Sequence, residues 1–283
     1  MDGTAVARSP GHISGYFRRI AGGTARMTGS RGAGIVIEEG VLARAVPSRS
    51  PTVRMIFTGN RPVSGGPPLI KSAMERLGVS AEVTTESSLP AGAGFGLSAA
   101  ALLASISALS LLFRLRLSDR EIASLAHEIE VTYRTGLGDV AACQGGGIEC
   151  RKGPGISARI DRIPDPGRII HAVSLGPIPT PQVLGDPARM EQIDRAFPGR
   201  CPRDLGDLFG LSRSFAEGSG LVTPRVREVL AACDRAGIRA SMTMLGEGVF
   251  ALGEEAAPVL SPFGHVYRLR IAEKGFTRGE VIG

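Results

Sequence analysis

One stretch, Pro90-Ala91-Gly92-Ala93-Gly94-Phe95-Gly96-Leu97-Ser98-Ala99-Ala100, constrains the fold more than any other. Glycines at alternate positions free the backbone to take conformations that a Cβ forbids and to approach a ligand closely. Ahead of them, Ala81 to Glu86 alternates apolar and polar residues as a half-buried strand does. Behind them, Leu97 to Phe113 is apolar except where Ser98, Ser105, Ser107 and Ser110 interrupt it. That run is short for a membrane span and reads as a buried helix, so no membrane association is expected. Strand, glycine turn and helix start in this order bring unpaired amides and the positive end of a helix dipole to one point, which suits a phosphate. Ser98 at that terminus either caps the helix or offers its hydroxyl to a metal ion. A purely structural turn is the competing reading. The G-x-x-x-x-G-K-[ST] phosphate loop is absent, and the third glycine is wrongly spaced for the dinucleotide fingerprint.

The rest of the chain mixes strands and helices in both halves, so α+β layers are expected. Ile35 to Ile37, Leu42 to Val46 and Val53 to Phe57 read as strands among Gly-rich turns, with a loop at Asn60 to Pro68 and a short helix at Leu69 to Leu77. A helix starts after Ser118, because Ser118 and Glu121 have capping-box spacing and Ile122, Leu125, Ala126 and Ile129 form an apolar stripe. Residues 154–166 read as the crossing between two domains, 1–160 and 161–283. The second holds a strand at Ile169 to Leu175, a Pro-rich stretch at Gly176 to Gly185, helices at Met190 to Phe197, Asp204 to Glu217 and Pro224 to Ala236, and closing strands at Ala240 to Met244, Val249 to Leu252 and His265 to Ile271.

Composition narrows the function. The formal charge of +6 is carried almost wholly by Arg, with lysines only at 71, 152 and 274, and no basic run is interleaved with aromatics. No nucleic-acid partner is therefore expected. Cys143, Cys150, Cys201 and Cys233 form no CxxC pair and no zinc spacing with His. Together with an N-terminus unlike a signal peptide, this predicts reduced thiols and a cytoplasmic protein.

The segment at 90–99 resembles the second motif of the GHMP kinase superfamily, P-x-G-x-G-L-G-S-S-A. It matches at Pro90, Gly92, Gly94, Gly96, Ser98 and Ala99, and departs at Phe95 and Leu97. Ser9-Pro10-Gly11-His12-Ile13-Ser14-Gly15-Tyr16-Phe17 resembles the first motif, A-P-G-K or A-P-G-R, with His12 in place of the basic residue. Ser241 to Gly248 occupies the place of the third motif, with its glycine run reduced to Gly246 and Gly248. The P-G-H-I-S-G-Y-F and S-M-T-M-L-G runs, and Thr28 to Gly34, are similar to the archaeal pantoate kinases within that superfamily.

The resemblance implies a two-lobed α+β fold, its N-terminal lobe like ribosomal protein S5 domain 2 and its C-terminal lobe ferredoxin-like. It implies ATP and Mg²⁺ as cofactors and a small hydroxy acid, (R)-pantoate, as substrate, with the ATP phosphates on Pro90, Gly92, Gly94, Phe95, Gly96, Leu97, Ser98 and Ala99. A glutamate of the helix that starts near Ser118 and stops before Gly136 would join Ser98 on the metal. On a helical projection Glu130 lies at the edge of the apolar stripe and Glu128 nearer the polar face, so Glu130 is expected to hold the metal. Asp139, after Gly136-Leu137-Gly138, would orient or deprotonate the acceptor hydroxyl; a capping Asp is the alternative. His12, Ser14 and Arg31 are expected at the substrate, against an ordinary turn histidine and a solvated turn arginine. Other acceptors (homoserine, shikimate, mevalonate), a non-catalytic nucleotide- or RNA-binding module and a homodimer remain open.

Overall fold

The computed structural model describes residues 3–57, 68–178, 183 and 185–282. The loop read at Asn60 to Pro68 lies outside them except for Pro68, as do residues 179–182 and 184 of the Pro-rich stretch.

Residues 4–47 differ from the expected short strands and turns, whereas Val53 to Phe57 lies in a strand as read. Residues 4–47 hold two long strands, β1 (Thr4–Ile20) and β2 (Gly29–Pro47), paired antiparallel from Ala5 opposite Ala45 to Ile20 opposite Gly29. Their glycines lie within strands because neighbours need the space a side chain would fill. A Cβ on Gly34 would collide with the His12 imidazole, and one on Gly11 would meet the Phe95 carbonyl. The segment 28–34, read as a loop, is thus the start of β2, and His12 and Arg31 are strand residues rather than turn residues.

β3 (Thr52–Phe57) pairs parallel with β4 (Ala81–Ser87), which flanks β2; β5 (Ile148–Arg151) pairs with the other end of β2, and β6 (Ile160–Ile163) with β5. Helices α1 (Leu69–Leu77), α2 (Leu97–Leu112) and α3 (Asp119–Thr132) belong to this lobe. α2 is buried on nearly all sides, which accounts for its lack of a polar face. The capping box of α3 forms as read, with Glu121 N–H donating to Ser118 Oγ at 3.2 Å and Ser118 N–H to Glu121 Oε2 at 2.7 Å. After α3 comes the single turn α4 (Asp139–Ala142).

The second sheet is antiparallel. It contains β7 (Ile169–Pro177), β8 (Ala240–Met242), β9 (Gly246–Leu252) and β10 (Val266–Arg270) in the order β10-β7-β9-β8. Helices α5 (Pro187–Ala196), α6 (Leu205–Gly218) and α7 (Pro224–Arg235) precede β8, capped by Asp186, Asp204 and Thr223, and the short α8 (Ala256–Leu260) follows β9. β11 (Thr277–Ile282) then rejoins the first sheet beside β1. A division at 160–161 would cut β6, so we propose that the lobes part between β6 and β7, with β11 returning across that boundary. One hydrophobic core joins them: Ile13, Tyr16 and Phe17 of β1 pack with Phe209, Phe215 and Phe250. No helix among the described residues is long and apolar enough to cross a membrane.

Cys150 on β5 and Cys201 before α6 form a disulfide, their Cα atoms 5.7 Å apart across 51 residues of sequence. This corrects the expectation of reduced thiols. No spacing rule reveals the pair, because only the docking of the second lobe brings residue 201 to β5. Closing a loop of this length removes about 4 kcal/mol of unfolded-chain entropy in the chain-entropy model. Cys201→Ser is therefore expected to melt about 8–16 °C lower than the native chain in oxidising buffer. In reductant the two midpoints should coincide. Equal midpoints in oxidising buffer would show that the bond contributes nothing.

Candidate active site

The loop between β4 and α2 is held in a left-handed backbone at each of its glycines, with φ of 73° at Gly92, 82° at Gly94 and 63° at Gly96. Gly96 is the cap residue of α2 and supplies no side-chain bond to the first amides of the helix, which leaves them for a ligand. The third-motif run supports the loop from behind. Thr243 Oγ1 donates to the Ala93 carbonyl at 2.9 Å, and a Cβ on Gly94 would meet the Met244 carbonyl at 2.9 Å. Leu245, with φ of 61°, turns the chain there.

The residues of the loop divide by the direction of their side chains. Phe95 is buried in the inter-lobe core, edge-on to Tyr267 at 6.0 Å, and its carbonyl accepts the His12 N–H at 2.9 Å. Ala99 is buried and Leu97 packs against the core, so these three offer only backbone to a ligand. Pro90 and Ser98 are half-buried. Beside the loop entry lies a cavity of about 650 Å³, lined among others by Leu42, Ile56, Glu86, Ser87, Ser88 and Lys274.

Ser98 Oγ donates to Glu130 Oε1 at 2.9 Å. Glu130 is fully buried, and its Oε2 has no hydrogen-bond partner among the described residues. Burial, with the nearby charge of Asp139 second, pushes its carboxyl up to about 8. Glu128 instead faces outward and pairs with Arg76 at 3.5 Å. The helical projection therefore separated the two acids correctly by burial. No cluster of three or more His, Cys, Asp or Glu side chains suited to a metal occurs among the described residues. A hydroxyl and a single carboxylate, with one buried oxygen unpartnered, fit Mg²⁺, which keeps most of its ligands as water and phosphate oxygens.

Asp139 does not cap its helix; Gly138 holds that position and makes no side-chain bond. The Asp139 carboxylate turns to His12, whose Nδ1–H donates to Oδ1 at 2.6 Å. The other ring nitrogen, Nε2, donates to Glu149 Oε1 at 3.0 Å, and Arg151 pairs with the same oxygen. His12, Glu149 and Arg151 are all buried. Both ring nitrogens face acceptors, so the ring is an imidazolium. Burial alone would push His12 down, but the bonds to Asp139 and Glu149 outweigh it and hold His12 above its usual range. Burial would likewise raise both acids; His12 holds Asp139 below its ordinary value, and Arg151 with His12 does the same for Glu149.

Of the residues expected at the substrate, His12 is bonded through both ring nitrogens, to Asp139 and to Glu149. Ser14 is half-buried, and its carbonyl accepts the Met244 N–H at 3.4 Å. Arg31 sits 5.9 Å from the centre of the Phe197 ring. Its neighbour Ser30 lies against Gly138, so strand alternation sends Arg31 to the opposite face. Sequence reasoning missed Glu149 and Arg151. The available signal was a pair of opposite charges two residues apart in an otherwise apolar strand after Gly145-Gly146-Gly147. It also missed His127 of α3, which is buried with Nε2–H donating to the Thr28 carbonyl at 2.8 Å.

Comparison with known proteins accords with this geometry. Residues 68–147 match the model of the GHMP kinases N terminal domain. The chain is 45% identical over 274 residues to the pantoate kinase of Methanospirillum hungatei, covering 95% of this chain and 94% of that protein. It is 30% identical to the pantoate kinase of Thermococcus kodakarensis, over 91% of this chain and 92% of that one. Among solved structures, a phosphotransferase related to the CoA biosynthesis pathway superposes with a TM-score of 0.81 at 26% identity, covering 97% of this chain and 98% of that one. A mevalonate kinase superposes with a TM-score of 0.62 at 16% identity, a likeness of fold alone.

Proposed function

From the premise that this chain belongs to the pantoate kinases, within the GHMP kinases, we infer that it transfers the γ-phosphoryl group of ATP to the 4-hydroxyl of pantoate, giving ADP and 4-phosphopantoate for coenzyme A synthesis. The observation that carries this reading is the convergence of Ser98 and Glu130 at the start of α2, with the charge of Asp139 felt at Glu130.

Each residue then has a defined task. Backbone amides of residues 92–99, at the positive end of α2, hold the phosphates. The cavity beside Ser87 and Ser88 adjoins the loop and is assigned to the nucleoside. Ser98 and Glu130 would hold Mg²⁺, which would supply neutralisation of charge on the phosphate oxygens during transfer. Asp139 fixes the acceptor hydroxyl in line and takes its proton as the new bond forms.

Release of ADP measured across a panel of hydroxy acids tests the assignment. Pantoate should exceed homoserine, shikimate and mevalonate in kcat/KM by at least roughly tenfold, a difference of about 1.4 kcal/mol in transition-state binding. Preference for any of those three would overturn pantoate and leave a GHMP kinase of different specificity.

A further inference from the structure

Four charged side chains, three of them buried, alternate in sign from β5 to the reacting edge of the cleft: Arg151, Glu149, His12 and Asp139. Arg151 pairs with Glu149 Oε1, the same oxygen lies 3.0 Å from His12 Nε2, and His12 Nδ1 lies 2.6 Å from Asp139 Oδ1. Only Asp139, with its side chain about one-fifth exposed, reaches solvent; the side chains of His12 and Glu149 are wholly enclosed. The backbone makes room for the row. A Cβ on Gly34 would strike His12 Nε2, and one on Gly32 would meet a terminal guanidinium nitrogen of Arg151 at 3.0 Å.

We propose that Glu149 is a positioning residue for phosphoryl transfer: anchored by Arg151, it fixes the His12 ring through Nε2, and that ring in turn sets the direction of the Asp139 carboxylate. The inference rests on the reading of Asp139 given above.

The physical reason lies in the freedom of an imidazole. With a single bond at Nδ1 the ring retains torsional freedom about its own side chain, and α4, a single turn, cannot hold Asp139 by itself. A second bond on the far side of the ring removes that freedom. Burial would also favour a neutral ring with one nitrogen unprotonated. The carboxylate of Glu149 opposes this, so both nitrogens keep their protons and the grip on Asp139 persists. A misplacement of about 1 Å at a reacting group can cost a hundredfold in rate, so loss of the outer bond should be felt although Glu149 touches no substrate.

The test is a double-mutant cycle on the full chain, with kcat, KM for ATP and melting temperature measured for the native protein, Glu149→Gln, Asp139→Asn and the double variant. Glu149→Gln should lower kcat roughly 30- to 100-fold and leave KM for ATP within about threefold. In the Asp139→Asn background the same change should cost less than about twofold, since Glu149 acts through Asp139. Losses that multiply, or a Glu149→Gln enzyme of native kcat, overturn the proposal while leaving Asp139 in place. An Asp139→Asn enzyme of native kcat overturns both readings, and is seen in a different protein sample. If Glu149→Gln fails to fold because Arg151 is left uncompensated, Glu149→Asp is read by the same criteria. It keeps the charge opposite Arg151 but draws the oxygen back from Nε2.

Discussion

Asp139→Asn is expected to lower kcat at least about a hundredfold while KM for ATP changes little. General-base assistance is typically worth about 10²- to 10⁴-fold, and it acts in the transition state rather than in nucleotide binding. An alcohol is far too weak an acid for a carboxylate to deprotonate in advance. The useful work is to hold the oxygen in line and to receive the proton as the phosphorus–oxygen bond forms. The structure removes the competing explanation, because Gly138 and not Asp139 occupies the cap of α4. Two opposing changes limit the effect on stability. The amide loses a charge-assisted bond to His12, yet it also relieves the repulsion felt by Glu130. The midpoint should stay within about 5 °C of native, since 1 kcal/mol moves a domain of this size by about 2–4 °C. Native turnover in this variant would remove Asp139 from the mechanism.

Glu130→Gln should also abolish most activity, by at least about a hundredfold, because stabilisation of transferring charge by a metal is worth several kcal/mol. Glu128→Gln serves as the contrast. Its partner Arg76 is a surface contact at 3.5 Å, and such pairs contribute about 0–1 kcal/mol, so turnover should be near native. The pH behaviour follows from burial. In the folded, metal-free protein Glu130 is pushed up to about 8 from its ordinary value of 4.5, so the native state holds a proton that the unfolded chain has released. Its contribution to stability is complete below about pH 4.5 and is lost as pH rises through about 8. Glu130→Gln should flatten this decline, and its midpoint should exceed that of the native chain at the alkaline end. Mg²⁺ held as proposed would take the ionised carboxylate, so the Mg²⁺ concentration giving half-maximal activity should fall between pH 6.5 and 8 in the native enzyme. A Mg²⁺ requirement indifferent to pH, with Glu130→Gln active, would release Glu130 from the metal.

What the sequence disclosed was local. The glycine loop, the apolar α2 and the capping box at Ser118 and Glu121 are written in consecutive residues, and each formed where expected. That Glu130 is buried and Glu128 faces outward needed only the period of one helix. What escaped was non-local. Glycines 11, 32 and 34 read as turn signals, yet they lie inside long strands to make room for backbone carbonyls and side chains brought from elsewhere. Glu149 bonds to His12 across 137 positions, and no local pattern encodes such a partner. His12 itself was legible as a motif residue but not as an enclosed one, because its burial depends on strands, loop and α4 assembling together.

The bond between Cys150 and Cys201 makes the molecule a closed ring with two tails. The ring runs from β5 through β6, β7 and α5, and so contains the crossing between the lobes; both tails, one carrying the glycine loop and the other the turn at Thr243 to Gly246, lie outside it. The backbone between 152 and 200 can thus be severed at any one peptide without producing two molecules. The clasp of the ring sits between Glu149 and Arg151, so a protein nicked in the crossing still has its two outermost buried charges stitched to the opposite lobe.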